Sequence, residues 1–380
     1  MRIAQVAPLY EAVPPKYYGG TERVVSYLTE ELVRQGHQVT LFASGDSVTA
    51  ADLVPICPQA LRLNEQCVDR LAPHLVQLEA VFRAAHRFDV IHFHIDYLHY
   101  PLSRRSAVPH VTTLHGRLDM PELASLYDEF TDMPVVSISD AQRAPLPQAN
   151  WQATVHHGLP PDLLRGRDRP GDYLAFVGRI SPEKGVDRAV EIARRAGMKL
   201  RVAAKVDAAD RDYFRTVEPL LRDPLVEFAG EIGEAKKGDF LGGARALLFP
   251  IDWPEPFGLV MIEAMACGTP VVAWRCGSVP EVIDDGVTGF VVTDLDAAVR
   301  AVERCADLDR RRCRQTFERR FTAARMANDY LKVYERLAQR AAPRVRPDAG
   351  PWERVPAGGV WLDKVRGGRR EPDRTQVNGK

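Results

Sequence analysis

The sequence predicts an α/β protein of two successive doubly wound parallel-sheet domains. Three observations carry that prediction. Short apolar runs alternate with helical patterns along the first 150 residues, as expected of parallel strands joined by crossover helices. The alternation stops at residues 159–171, a stretch rich in Pro, Arg, Asp and Gly, and then restarts. The chain has 380 residues, enough for two domains that each bury a core.

In the first half, residues 2–7 read as a strand, 22–34 as a helix ended by Gly36, and 38–43 as a second strand. Residues 71–86 read as an amphipathic helix and 90–93 as a third strand. Further strands follow at 111–114 and 135–139. In the second half, strands are predicted at 173–177, 200–203, 226–228, 246–249 and 270–273, with a helix at 187–196 ended by Gly197. A helix over 322–340 places Met326, Tyr330, Tyr334 and Leu337 on one stripe. The expected organisation is 1–160, 161–320, a helix over 321–340, and a tail over 341–380. The tail abounds in Pro, Gly and Arg and keeps no period, so it is expected to be disordered.

Hydrophobic residues make up 45% and charged residues 27%, and Lys plus Arg equals Asp plus Glu at 51 each. With no basic excess there is no support for a nucleic-acid partner, and an anionic ligand must be held by local groups. The six cysteines, Cys57, Cys67, Cys267, Cys276, Cys305 and Cys313, form no Cys-x-x-Cys pair and are expected to be reduced thiols of a cytoplasmic protein. Residues 1–8 lack the apolar run of a signal peptide, and no segment approaches the roughly 18 apolar residues of a spanning helix. Peripheral contact with the inner face of a membrane stays open. The 71–86 helix, with Arg83 and Arg87 nearby, could serve a lipid-linked acceptor, although a core-facing helix is the plainer reading.

Residues 246–274 read as strand, loop, helix, strand and carry Glu255 and Glu263. In an open parallel sheet, ligands bind at the carboxyl ends of strands, where helices begin. Pro254 and Pro256 keep Glu255 in the loop. The helix is expected to begin near Phe257–Leu259, offering the N–H groups of Phe257, Gly258 and Leu259. A carboxylate accepts hydrogen bonds in a fork and suits a hydroxyl pair; the plain alternative for Glu263 is an exposed helix residue. Arg179 and Lys184 open a helix after another strand, where a diphosphate fits; the alternative is a surface pair of Lys184 with Glu183 or Asp187. Gly19 and Gly20 allow close approach of a ligand but form no dinucleotide fingerprint. Among the histidines, His115 at a strand end is the functional candidate and His92 the structural one. His92 and His94 lack a third spaced ligand for zinc. Asp294 and Asp296 resemble a metal-binding pair, but their place before a helix favours capping.

Taken together, Gly19-Gly-Thr-Glu22, Thr113-Leu-His-Gly116, Val177-Gly-Arg with Lys184-Gly, and Glu255-Pro-Phe-Gly-Leu with Glu263-Ala-Met-Ala-Cys-Gly-Thr-Pro-Val resemble the retaining glycosyltransferases of family 4, which have the GT-B fold. The resemblance covers about residues 1 to 340. It implies two Rossmann-like domains facing across a cleft, with a nucleotide-diphosphate sugar donor on the C-terminal side and an acceptor, unidentified in class, on the other. It implies no cofactor and no metal. Arg179 and Lys184 would neutralise the diphosphate, Glu263 would bind the ribose diol, and Glu255 with Phe257, Gly258 and Leu259 would hold the donor sugar. His115 would approach the reacting carbon, and Gly20 would crowd the diphosphate. Lys205 and Ile232 are further donor contacts under this resemblance. The acceptor would attack on the face the leaving diphosphate vacates, so catalysis is mostly positioning and leaving-group stabilisation. The last helix would cross back onto the N-terminal domain.

Three features depart from the family pattern. Ala203-Ala-Lys-Val206 replaces a glycine-containing turn. The loop 250–255 is one residue longer and carries Asp252 and Trp253. His157 stands where Asn often precedes the glycine. A phosphorylase or synthase of the same fold, and a catalytically silent nucleotide-sugar binder, are the rival readings.

Overall fold

A computed structural model describes residues 1–16 and 19–340. The expectation for the tail over 341–380 lies outside the described residues, as do Tyr17 and Tyr18. The strands are β1 (Arg2–Val6), β2 (Gln38–Ala43), β3 (Asp52–Pro55), β4 (Val90–Phe93), β5 (His110–Thr113), β6 (Pro134–Ser137), β7 (Asn150–Thr154), β8 (Tyr173–Arg179), β9 (Lys199–Lys205), β10 (Val226–Gly230), β11 (Ala246–Phe249), β12 (Val271–Trp274) and β13 (Gly289–Val292). They form two all-parallel sheets, in the order β3-β2-β1-β4-β5-β6-β7 and β10-β9-β8-β11-β12-β13.

The central strands are covered on both faces. In β4, β6 and β11 every residue is buried, which is why they read as short continuous apolar runs. Sequence reasoning missed β3, β7 and β13. All three are sheet edges. Their mixed compositions, Asp-Leu-Val-Pro, Asn-Trp-Gln-Ala-Thr and Gly-Phe-Val-Val, carry neither an alternation nor a long apolar run.

The helix expected over 71–86 is Ala72–Arg83, followed by a short 3₁₀ turn, Ala85–Arg87. Its buried face corrects the simple amphipathic reading. His74 and Gln77 are buried beside Leu78 and Val81, whereas Leu75 and Val76 are exposed. The Gln77 Nε2 donates to the carbonyls of Ala7 and Phe42 at 2.8 and 3.1 Å. Carbonyls at buried strand ends need donors, and that demand outranks hydrophobic pattern here.

The chain passes between the two sheets twice, and the passages lie side by side. The Leu159 N–H donates to the Phe321 carbonyl at 2.9 Å, and the Ala323 N–H to the Leu159 carbonyl at 2.8 Å. A Cβ at Gly158 would sit 2.2 Å from the Thr322 carbonyl oxygen, so only glycine fits that crossing. The helix Ala323–Arg340 then returns to the N-terminal sheet and buries Met326, Tyr330 and Tyr334. Two further contacts join the halves. Glu281 accepts hydrogen bonds from the backbone N–H groups of Asp140 and Ala141, both at 2.7 Å. Arg23 pairs with Glu234, which also accepts from the Tyr27 hydroxyl at 2.7 Å. Among the described residues the six cysteines are free thiols, and no helix is long and apolar enough to cross a membrane.

Candidate active site

A cavity of about 390 Å³ lies between the two sheets. Its wall combines the turn after β1 and the ends of β5 and β7 with the loops after β8, β9, β10 and β11. These are carboxyl ends of parallel strands, where helix starts and loops converge. Gly20, His115, Lys184, Lys205, Ile232, Glu255, Phe257, Gly258, Leu259 and Glu263 all line it. Folding therefore brings together ten residues spread over 244 positions of sequence.

Arg179 departs from expectation and stands outside that wall. It bonds to Glu183 at 2.5 Å, and its guanidinium lies 3.2 Å from Asp210 and 4.0 Å from Asp207. The reason is tertiary. Parallel pairing sets Arg179 opposite Lys205, which brings the acidic loop after β9 beside the guanidinium. The sequence alone showed Glu183 but gave no sign that Asp207 and Asp210 would join it.

The C-terminal half of the wall is charged and self-paired. Lys184 bonds to Glu255, and the Trp253 indole N–H donates to the same carboxylate oxygen at 2.8 Å. The ammonium lies 5.0 Å from the Trp253 ring centre, close enough for a cation–π contribution. Both bonds land on Oε2, so a ligand hydroxyl would meet the Oε1 lone pairs. This partner replaces the Glu183 or Asp187 pairing weighed for Lys184 from sequence. The loop carrying Glu255 is tied to the turn carrying Lys184: the Asp252 N–H donates to the Glu183 carbonyl at 2.8 Å, and Arg188 to the Pro250 carbonyl at 2.8 Å.

Glu263 is not an exposed helix residue: it is buried, and Lys237 bonds to its Oε1 at 2.7 Å. The helix begins at Leu259, with Gly258 as its cap, so its first-turn N–H groups are those of Leu259, Val260 and Met261. Met261 turns to the Gly258 carbonyl at 3.0 Å. Gly258 has a φ of +78°, a left-handed conformation that favours glycine. The Phe257 side chain faces inward against His157, at 4.8 Å between ring centres.

Apart from Arg23, the N-terminal half of the wall is neutral. The His115 ring stacks on His157, with 5.4 Å between centres, and its Nε2 lies 2.9 Å from His94 Nδ1. Burial pushes His115 down to about 3, and also lowers His92, His94 and His157 well below the ordinary histidine value. A second residue missed from sequence is Arg23, which lines the cavity. Lys237 is the first; a Lys-Lys pair near a helix start was its signal. Asp294 caps its helix, accepting from the Ala297 N–H at 2.7 Å. No group of three or more His, Cys, Asp or Glu among the described residues is arranged to hold a metal.

Two facing doubly wound sheets with a charged cavity at their carboxyl edges define the class of two-domain α/β enzymes that bind substrates between their domains. The family follows from comparison with known proteins. The model of glycosyltransferase family 4 matches residues 18–173, and that of the glycosyl transferases group 1 matches residues 166–319; the chain belongs to the glycosyltransferases of this GT-B type. It is 28% identical to the D-inositol 3-phosphate glycosyltransferase of Mycolicibacterium smegmatis, over 73% of this chain and 76% of that one. Its fold is similar to that of AviGT4, a glycosyltransferase involved in avilamycin A biosynthesis (25% identity, 89% of this chain and 98% of that one, TM-score 0.69). It is also similar to Anabaena HepE, solved in complex with UDP and glucose (18% identity, 88% and 100%, TM-score 0.66).

Proposed function

We propose that this glycosyltransferase moves a sugar, with retention of configuration, from a nucleoside-diphosphate sugar to a hydroxyl acceptor, and that side chains rather than a metal ion meet the diphosphate charge. One observation carries the reading. Four cationic side chains, Arg23, Lys184, Lys205 and Lys237, share the cavity wall with Glu231, Glu255 and Glu263, beside the starts of the helices Leu259–Ala266 and Gly20–Arg34. Lysines and helix N-termini suit a diphosphate; buried carboxylates suit hydroxyl pairs. The complex of HepE with UDP and glucose supports a donor of this class.

In this reading Lys184 meets the diphosphate and stabilises it as it leaves. Glu263 accepts from the ribose diol. Glu255, with the N–H groups of Leu259 and Val260, holds sugar hydroxyls. Gly20 lets the helix start approach the diphosphate closely; the nearest atom to a Cβ built there is Leu259 Cδ1 at 3.8 Å. His115 lies beside the reacting carbon. Trp253, in the lengthened loop, walls the sugar pocket and is where donor choice is set.

The test is a panel of uridine, guanosine and adenosine diphosphate sugars, scored by thermal stabilisation and slow donor hydrolysis with a metal chelator present. A true donor at one hundred times its Kd stabilises by about 2.7 kcal/mol, and the transferred sugar keeps its anomeric configuration by NMR. A panel that neither stabilises nor reacts would sink the donor assignment. Complete, metal-restorable loss in chelator would sink metal independence.

A further inference from the structure

His115 ends a buried chain of hydrogen bonds that starts on the last helix. The Tyr330 hydroxyl lies 2.8 Å from Thr113 Oγ1, which lies 2.7 Å from His92 Nε2. His92 Nδ1 lies 2.7 Å from the Tyr334 hydroxyl, to which Gln5 Nε2 donates at 3.2 Å. Gln5 Oε1 lies 2.8 Å from His94 Nε2, and His94 Nδ1 lies 2.9 Å from His115 Nε2. Gln5, His92, His94, Thr113, Tyr330 and Tyr334 are all at most 2% exposed.

Most links in this chain could run in either direction, because hydroxyls and neutral imidazoles both donate and accept. The Gln5 amide cannot: its oxygen only accepts and its nitrogen only donates. Its oxygen faces His94, so His94 Nε2 carries the proton. A neutral His94 then has only a lone pair at Nδ1, and His115 must donate to it from Nε2. The second nitrogen of His115, Nδ1, is left with a lone pair, and it is buried without a hydrogen-bond partner. On the other side of the amide, Tyr334 accepts from Gln5 and keeps both a proton and a lone pair for His92.

We infer that Gln5 and His94 are positioning residues that lock His115 in the tautomer protonated at Nε2, so that its buried Nδ1 is left as an acceptor and never as a donor. A hydroxyl that reaches His115 Nδ1 must donate to it. The Tyr334 hydroxyl accepts from the Gln5 amide nitrogen, so the last helix supplies a partner to the amide as well as packing on the sheet. The inference rests on the proposed function only where it assigns His115 a sugar hydroxyl; the tautomer itself does not depend on it.

The test is histidine ¹⁵N NMR on the full-length protein labelled at histidine, with His115 and His94 assigned by His115→Asn and His94→Gln. His115 is expected to show a protonated Nε2 and an unprotonated Nδ1. In Gln5→Met and Tyr334→Phe that single pattern is expected to become a mixture, with kcat down about tenfold, the worth of one neutral hydrogen bond, and the KM for donor changed less than kcat. A wild-type His115 protonated at Nδ1 overturns the inference. So does a tautomer pattern and kcat unchanged in Tyr334→Phe, the variant that keeps the packing if Gln5→Met does not fold. If the tautomers behave as expected but no nucleotide sugar binds, the proposed function fails and the lock stands.

Discussion

The two walls of the cavity are built on opposite principles. Behind His115 the N-terminal wall is a neutral network in which His94, Gln5, Tyr334 and His92 satisfy one another, with Arg23 as its charged exception. The C-terminal wall holds full charges, paired as Lys184 with Glu255 and Lys237 with Glu263. A buried neutral network is rigid, since breaking any link strands a polar group. A charged pair at a cavity can exchange partners, because an incoming anion or hydroxyl replaces what it loses. The comparison teaches that this enzyme keeps its reference geometry on one side and its adaptable binding groups on the other.

Acid should strike the neutral wall first and hardest. His92, His94 and His157 are buried and lowered well below the ordinary histidine value by that burial. The unfolded chain takes up protons on these groups as pH falls below about 6.5, while the folded chain does not. Stability is therefore fully present above that pH and is lost below it, by at most about 1.4 kcal/mol per pH unit for each histidine. Thermal melts from pH 8 to pH 4 should show a steep fall in Tm beginning near pH 6. A Tm flat down to pH 5 would mean the wall is not a closed neutral network.

On the charged wall, Lys184→Ala should lower kcat/KM about 100- to 1,000-fold, the loss expected for one group that stabilises a leaving charge, with the fold intact by circular dichroism. Wild-type kcat/KM in a folded Lys184→Ala protein would overturn the assignment of that wall. Glu263→Gln keeps the shape but gives up the charge. It should weaken donor binding by about 1.5–3 kcal/mol, read by titration calorimetry, and an unchanged Kd would remove Glu263 from the donor site. The smallest effect is expected from Arg179→Ala. Its guanidinium is partly exposed and spent on Glu183, Asp207 and Asp210, so stability should change by less than about 1 kcal/mol and donor affinity by less than about threefold. A loss as large as that of Lys184→Ala would show that Arg179 swings into the cavity when donor binds.

Much of the site was legible because its parts are short local patterns. Pro254 and Pro256 around Glu255, a helix start near Phe257–Leu259, and Lys184 after a strand each announce a loop at a strand end. Arg23 was not legible, because it sits within a helix and becomes a wall residue only by where that helix lands; Lys237 left no more than a Lys-Lys pair near a helix start. Arg179 pairs outside the cavity wall for the matching reason: its local pattern fits a diphosphate site, but two of its partners, Asp207 and Asp210, arrive from the neighbouring strand's loop.

By itself the sequence determined the class of fold, the order of its buried strands and the loops that carry chemistry, since these follow from local period, glycine and proline. The tertiary structure alone decided which charges meet. Glu255 found Lys184 across 71 positions and His92 found Tyr334 across 242, and no local pattern encodes a partner that far away. The same holds for the hydrogen bonds at His115, which reach Tyr334 on the last helix through His94 and one buried amide.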